Sequence, residues 1–195
     1  AEAGAFIKTR DDLEAPNIQY HYAPAMVVDH GRTAVWGTGM SCHSCLLRPK
    51  SRGEVTLESA DPFADPLIDP KFLSHPDDVK DMIDGYKIMM KVLNTQPFTK
   101  YIQEHTQRPV DINDDADIEL AIREDADTVY HPVGTCKMGN DDMSVVNNRL
   151  KVHNMNNLRV VDASIMPTLV GGNTNAPTIM IGEKASDMII DDWNL

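Results

Sequence analysis

Val129-Tyr130-His131-Pro132-Val133-Gly134-Thr135-Cys136-Lys137-Met138-Gly139 opens the stretch that decides how this chain is read. It continues in Val160-Val161-Asp162-Ala163-Ser164-Ile165-Met166-Pro167 and runs on to Gly171-Gly172-Asn173-Thr174-Asn175. Pro132 favours an extended backbone at His131, and Gly134 permits a tight turn. The imidazole therefore sits on a stiff backbone, and histidine is a residue type able to accept or donate a proton during catalysis. Leu158–Val161 is expected as a buried strand ending at Asp162, the strand end where α/β sheets bind ligands. Gly171 and Gly172 allow close backbone approach, and the helix expected from about Ala176 points its free amides at that loop. Such an end suits an anion or a polarised carbonyl. Each of these features also has a structural reading: a strand-end histidine, a helix-capping loop, and an Asp162 that caps a helix or pairs with Arg159.

Working outward, Val79, Met82, Ile83, Tyr86, Met89, Met90 and Leu93 recur at helical spacing after a start at Ser74-His75-Pro76-Asp77. A second helix is expected from near Asn113 to Arg123 with Ile118, Ala121 and Ile122 inward, and the last carries Ile181, Ala185, Met188 and Ile189. Strands are expected at Ile18–Tyr22 continuing through Ala25–Val28, at Met40–Leu47, and at Glu54–Glu58 as a half-buried strand. Asp29–Arg32 reads as a turn, and the prolines at 62, 66 and 70 as loop. The fold class is thus α+β, an antiparallel sheet flanked by helices followed by a C-terminal strand-loop-helix.

The 195 residues carry 18 basic and 30 acidic side chains, a net charge of −12, with 42% hydrophobic residues. A nucleic-acid partner is excluded because phosphate binding needs a basic face. Cys42-His43-Ser44-Cys45 has metal-ligand spacing, but no second such pair follows, so buried strand cysteines are favoured and no metal is expected. No apolar run reaches the roughly 18 residues of a membrane span. A cytoplasmic location is expected, with peripheral membrane contact left open. The chain opens at Ala1 without methionine, as a processed product or an expressed fragment does.

The motifs quoted above, with Leu47-Arg48-Pro49-Lys50-Ser51-Arg52-Gly53, Pro66–Pro70 and Ile181-Gly182-Glu183-Lys184, resemble the C-terminal part of the glucose–methanol–choline (GMC) oxidoreductases, in flavour the choline and alcohol dehydrogenases. The resemblance implies FAD as cofactor and an alcohol as small-molecule substrate, oxidised by hydride transfer to the flavin. It implies His131 as acid/base and Asn173 as its non-basic partner. Asp162, Ala163, Thr174 and Asn175 fall at cofactor-binding positions, and His21 and Val129 at substrate-lining ones. Residues 1–128 correspond to a partial substrate-binding domain, and 129–195 to a C-terminal segment of the FAD-binding domain. Family members also hold the FAD diphosphate with a G-x-G-x-x-G turn, which is absent from these residues. The partner this implies is the N-terminal FAD-binding half of the same enzyme, and the isolated chain is expected to be inactive. The competing reading is an inert α+β binding or interaction module that keeps this fold.

Overall fold

A computed structural model describes residues 2–96, 98–103, 105 and 108–194. The chain divides into two compact units, Ala1–Arg52 with Phe72–Asp127, and Gly53–Lys71 with Thr128–Leu195.

The first unit is an antiparallel sheet covered by helices. Strands β1 (Ala3–Ile7), β2 (Ile18–Ala23) and β3 (Ser41–Leu46) lie in the order β1-β2-β3, with Ile7 opposite Ile18 and Ile18 opposite Leu46. Alternation sends Ile18 and Tyr20 to one face, where they pack with Met89 against Ile7, Cys42, Leu46, Met82 and Leu93. The covering helix α1 (Pro76–Leu93) buries Val79, Ile83 and Met89 along its expected apolar stripe. Helix α2 (Asp115–Asp125) adds Ile118 and Ile122 to the Val79–Ile83 cluster, and Ala121 is buried too.

Helix ends were less legible. His75, and not the neighbouring serine hydroxyl, caps α1 by accepting from the Asp77 N–H at 3.1 Å. The Ser51 hydroxyl accepts from the His75 N–H at 3.0 Å, which seats the capping residue. Asp78 is only 3% exposed and accepts from the main-chain N–H groups of Lys50 and Ser51, each at 2.8 Å. It thereby ties the Leu47–Gly53 segment to the first turn of α1.

Two strand readings change in this unit. Ala25–Val28 is not a strand, because only Val28 pairs, in a bridge to Thr33 closing over the 3-10 turn Asp29–Gly31. Strand β1 was not foreseen, since Ala-Gly-Ala carries no alternation; it forms because β2 offers it a pairing edge. Gly4 suits that place, as a side chain would meet the Tyr20 carbonyl at 2.9 Å.

In the second unit, β4 (Glu54–Thr56) is shorter than expected and exposed in place of half-buried, and it pairs antiparallel with β5 (Leu67–Asp69), an exposed strand where proline-rich loop was expected. The core of this unit is Val146, Leu150, Ile165, Met166, Ile181 and Ala185, the last two from α3 (Asn175–Trp193). The strand expected over 158–161 reduces to one antiparallel bridge, Lys151 to Arg159, extended by Val160 N–H donating to the Leu150 carbonyl at 3.2 Å. A longer strand needs consecutive ladder pairs along one partner, and here the pairing stops at a single bridge.

Candidate active site

Three segments meet around the core of the second unit. Val133 from the histidine turn, Val160 and Ala163 from the aspartate segment, and Val170 from the glycine loop all pack against it. The first two are also joined through the main chain. The Cys136 N–H donates to the Ser164 carbonyl at 3.0 Å, and the Met138 N–H to that of Ile165 at 2.8 Å. Gly134 turns the chain at φ +91, and a side chain there would lie 3.4 Å from the Met166 carbonyl oxygen. The anticipated glycine requirement is thus met by a left-handed backbone.

His131 is exposed, directly after Tyr130, which adopts a left-handed φ of 64. A non-glycine residue in that region carries strain that neighbouring contacts must hold. One such contact is the Tyr130 N–H donating to the Thr128 hydroxyl at 2.9 Å. Val129, 53% exposed, precedes it. The histidine turn therefore projects side chains outward from a main chain that is pinned from behind.

Asp162 caps the 3-10 turn Ala163–Ile165, its carboxylate accepting from the Ser164 N–H at 2.8 Å and from the Ser164 hydroxyl. Of the two structural readings of Asp162, capping holds and pairing with Arg159 does not. Arg159 pairs with Asp192. Asp162 is exposed with one carboxylate oxygen engaged in this local cap, and Ala163 after it is half-buried.

Asn173 and Asn175 are exposed and Thr174 half-buried at the start of α3. Thr174 occupies the N-cap position in an α conformation without a side-chain cap, and no acid lies in the first turn. Both α1 and α2, by contrast, have a side-chain cap and first-turn acids. The partial positive charge at the start of α3 is left for something else to meet.

His21 lies in the first unit, on β2 opposite His43 of β3. Burial and the neighbouring His43 both lower its pKa below the usual histidine value. His43 had entered the sequence reading only as part of the cysteine motif; opposed positions on two antiparallel strands are visible once the register is known. Cys42 and Cys45 are free, half-buried thiols whose pKa values burial pushes up. Among the described residues no three His, Cys, Asp or Glu side chains are grouped to hold a metal. Nor, among them, is any helix long and apolar enough to cross a membrane. A groove of about 410 Å³ in the first unit contains none of the candidate residues, and its charged lining is paired as Lys80–Asp84, Arg123–Glu119 and, to a residue outside the groove, Asp115–Lys87.

Residues 49–182 match the GMC oxidoreductase family. Over 190 residues the chain is 48% identical to an alcohol dehydrogenase [acceptor] of Pseudomonas putida, a match covering 97% of this chain and 34% of that protein. It is 43% identical over 188 residues to an oxygen-dependent choline dehydrogenase of Klebsiella pneumoniae, covering 96% of this chain and 34% of the relative. Its fold is similar to that of a variant formate oxidase of Aspergillus oryzae studied for FAD modification. That similarity has a TM-score of 0.84 at 28% identity, over 92% of this chain and 32% of the oxidase. The chain belongs to the GMC oxidoreductase family and corresponds to its C-terminal portion. It spans about a third of the length of the curated relatives it matches.

Proposed function

We propose that this chain supplies one wall of the FAD site and the proton-handling histidine of an enzyme that oxidises an alcohol. Residues 1–128 belong on this reading to its substrate-binding domain and 129–195 to its FAD-binding domain. The rest of the FAD site comes from an N-terminal part of the same enzyme. The observation that carries the reading is the main-chain join between the segment that follows His131 and the Asp162–Met166 segment, with His131 exposed on the turn that leads into it.

The residues present fit a flavin. The start of α3 has neither a capping side chain nor an acid, so its free amides suit an electron-rich ring edge that becomes negative on reduction. Asn175, Thr174, Ala163 and the main chain at Asp162 would hold the cofactor. When bound, FAD supplies the acceptor for hydride from the alcohol carbon. His131 takes the hydroxyl proton on an imidazole nitrogen as that hydride leaves. Asn173, whose amide does not titrate, orients the alcohol oxygen by hydrogen bonding. The family resemblance assigns a substrate-lining role to Val129 in the second unit and, separately, to His21 in the first.

The test is made on the enzyme that carries this chain. It should show a flavin absorbance band and reduce an electron acceptor when given a primary alcohol. His131→Ala should lower kcat by about 10²–10⁴-fold while the flavin band persists. A flavin-free protein, or an unchanged rate in His131→Ala, would leave the inert binding module as the better account.

A further inference from the structure

Asp192 lies in the last turn of α3, about 26 Å along the helix axis from Asn175 at a rise of about 1.5 Å per residue. Three cations converge on its carboxylate: Arg149 at 2.7 Å, Lys151 at 2.5 Å, and Arg159. The side chains of Asp192 and Arg159 are only 22% and 13% exposed, so this is not a fully solvated surface pair. Arg149 also donates to the Met188 carbonyl at 3.0 Å, and the Arg159 Nε donates to the Arg149 carbonyl at 3.2 Å. Asp191 reaches only to 3.9 Å from Arg149.

These cations do for α3 what its own sequence does not. The helix has no basic residue in its last turn, no acid in its first, and no side-chain cap at its start. Arg149, Lys151 and Arg159 bring positive charge to the negative end of its dipole from a separate segment. Lys151 and Arg159 form the bridge that closes the hairpin, and Arg149 lies two residues before it, its carbonyl held by the Arg159 Nε. Three residues beyond Arg159, that hairpin becomes Asp162, the start of the turn to which the His131 segment is hydrogen-bonded.

We propose that Asp192 is a positioning residue for the candidate active site. It fixes α3, and with it Asn173 and Asn175, in axial register with the Asp162–Met166 segment that carries the His131 turn. The middle of α3 is seated by two buried side chains, Ile181 and Ala185, with the partly buried Met188 packed against the same core nearer the clamp. The clamp at its far end therefore sets how the start of the helix is presented. A helix is stiff along its length, and a displacement of about 1 Å at a reacting centre costs on the order of a hundredfold in rate. Partial loosening of the clamp should cost less than that. This inference rests on the proposed function.

The test compares Asp192→Asn and Asp192→Glu in the FAD-loaded enzyme with the wild type and His131→Ala. Four quantities are read: kcat per bound flavin, KM for the alcohol, thermal midpoint, and amide exchange across residues 175–181. Asp192→Asn should lower kcat per flavin about three- to tenfold, change KM less than twofold, and raise exchange at the start of α3 several-fold. Asp192→Glu, which keeps the charge, should restore at least half of the lost kcat. A lower midpoint with wild-type kcat per flavin and wild-type exchange at 175–181 would overturn the positioning role and leave a purely structural clamp. If His131→Ala has no effect on rate, the proposed function fails instead. In that case exchange at 175–181 still reports whether Asp192 governs the far end of the helix, and unchanged exchange overturns the coupling as well.

Discussion

The main-chain N–H of Cys136 donates to the carbonyl of Ser164 at 3.0 Å, joining two sequence motifs that lie 28 residues apart. The bond holds the histidine turn against the segment that begins at Asp162. It needs Gly134, two residues earlier, to turn the chain at positive φ. Gly134→Ala should therefore destabilise the chain by roughly 1–2 kcal/mol, since it forces a Cβ into that conformation beside the Met166 carbonyl. Urea unfolding measures this directly, and an unchanged midpoint would show that the turn relaxes without cost.

Asn175→Asp separates folding from catalysis by sign. Asn175 is the first residue of α3, where a carboxylate complements the helix dipole by a few tenths of a kcal/mol. On the proposed function, the same charge faces a ring edge that becomes negative on reduction. The variant should fold at least as stably, lower the flavin midpoint potential, and slow alcohol oxidation about tenfold. Thermal unfolding, spectroelectrochemistry and kcat measure the three parts. A slower enzyme with an unchanged potential would remove Asn175 from the flavin's surroundings.

Asp78→Ala should cost about 2–3 kcal/mol, because it strips partners from two main-chain N–H groups and the Ser51 hydroxyl. Burial by itself raises the Asp78 pKa, but the hydrogen bonds from Lys50 and Ser51 outweigh it and bring the value below 3.8. A depressed folded pKa gives stability that is complete above the unfolded value and is lost as pH falls through the folded one. Acid unfolding below about pH 4 should accordingly be shallower in Asp78→Ala than in the wild type. Parallel acid curves would show that Asp78 does not govern that limb.

His21 carries a dependence of the same sign in a higher pH window. Burial, then His43, lower its folded pKa beneath the unfolded value of 6.5. The unfolded chain thus binds the proton more readily, and stability falls as pH drops below about 6.5 toward the folded pKa. Replacing His21 with Gln should flatten that part of the stability–pH curve. An identical slope in the variant would assign the dependence to another group.

The helices were legible because their signal is local. The stripe Val79, Ile83 and Met89 in α1 and the trio Ile118, Ala121 and Ile122 in α2 are buried as their 3.6-residue period requires. Strands β1 and β5 were not legible, since three-residue Leu67–Asp69 and the small residues of Ala3–Ile7 carry too little alternation. They exist because a partner strand supplies their hydrogen bonds. The candidate residues at His131, Asp162 and Asn173–Asn175 stood out through turn-forming glycines and prolines, and family resemblance named their roles.

Sequence alone determined the family, the helices, and the residue types available for chemistry, because each depends on neighbours a few positions away or on whole motifs. Tertiary structure alone decided which groups are partners. Asp162 caps its own turn while Arg159 turns to Asp192, and Cys136 reaches Ser164. Each of those choices is a competition between donors and acceptors, settled by distances that exist only once the chain has folded.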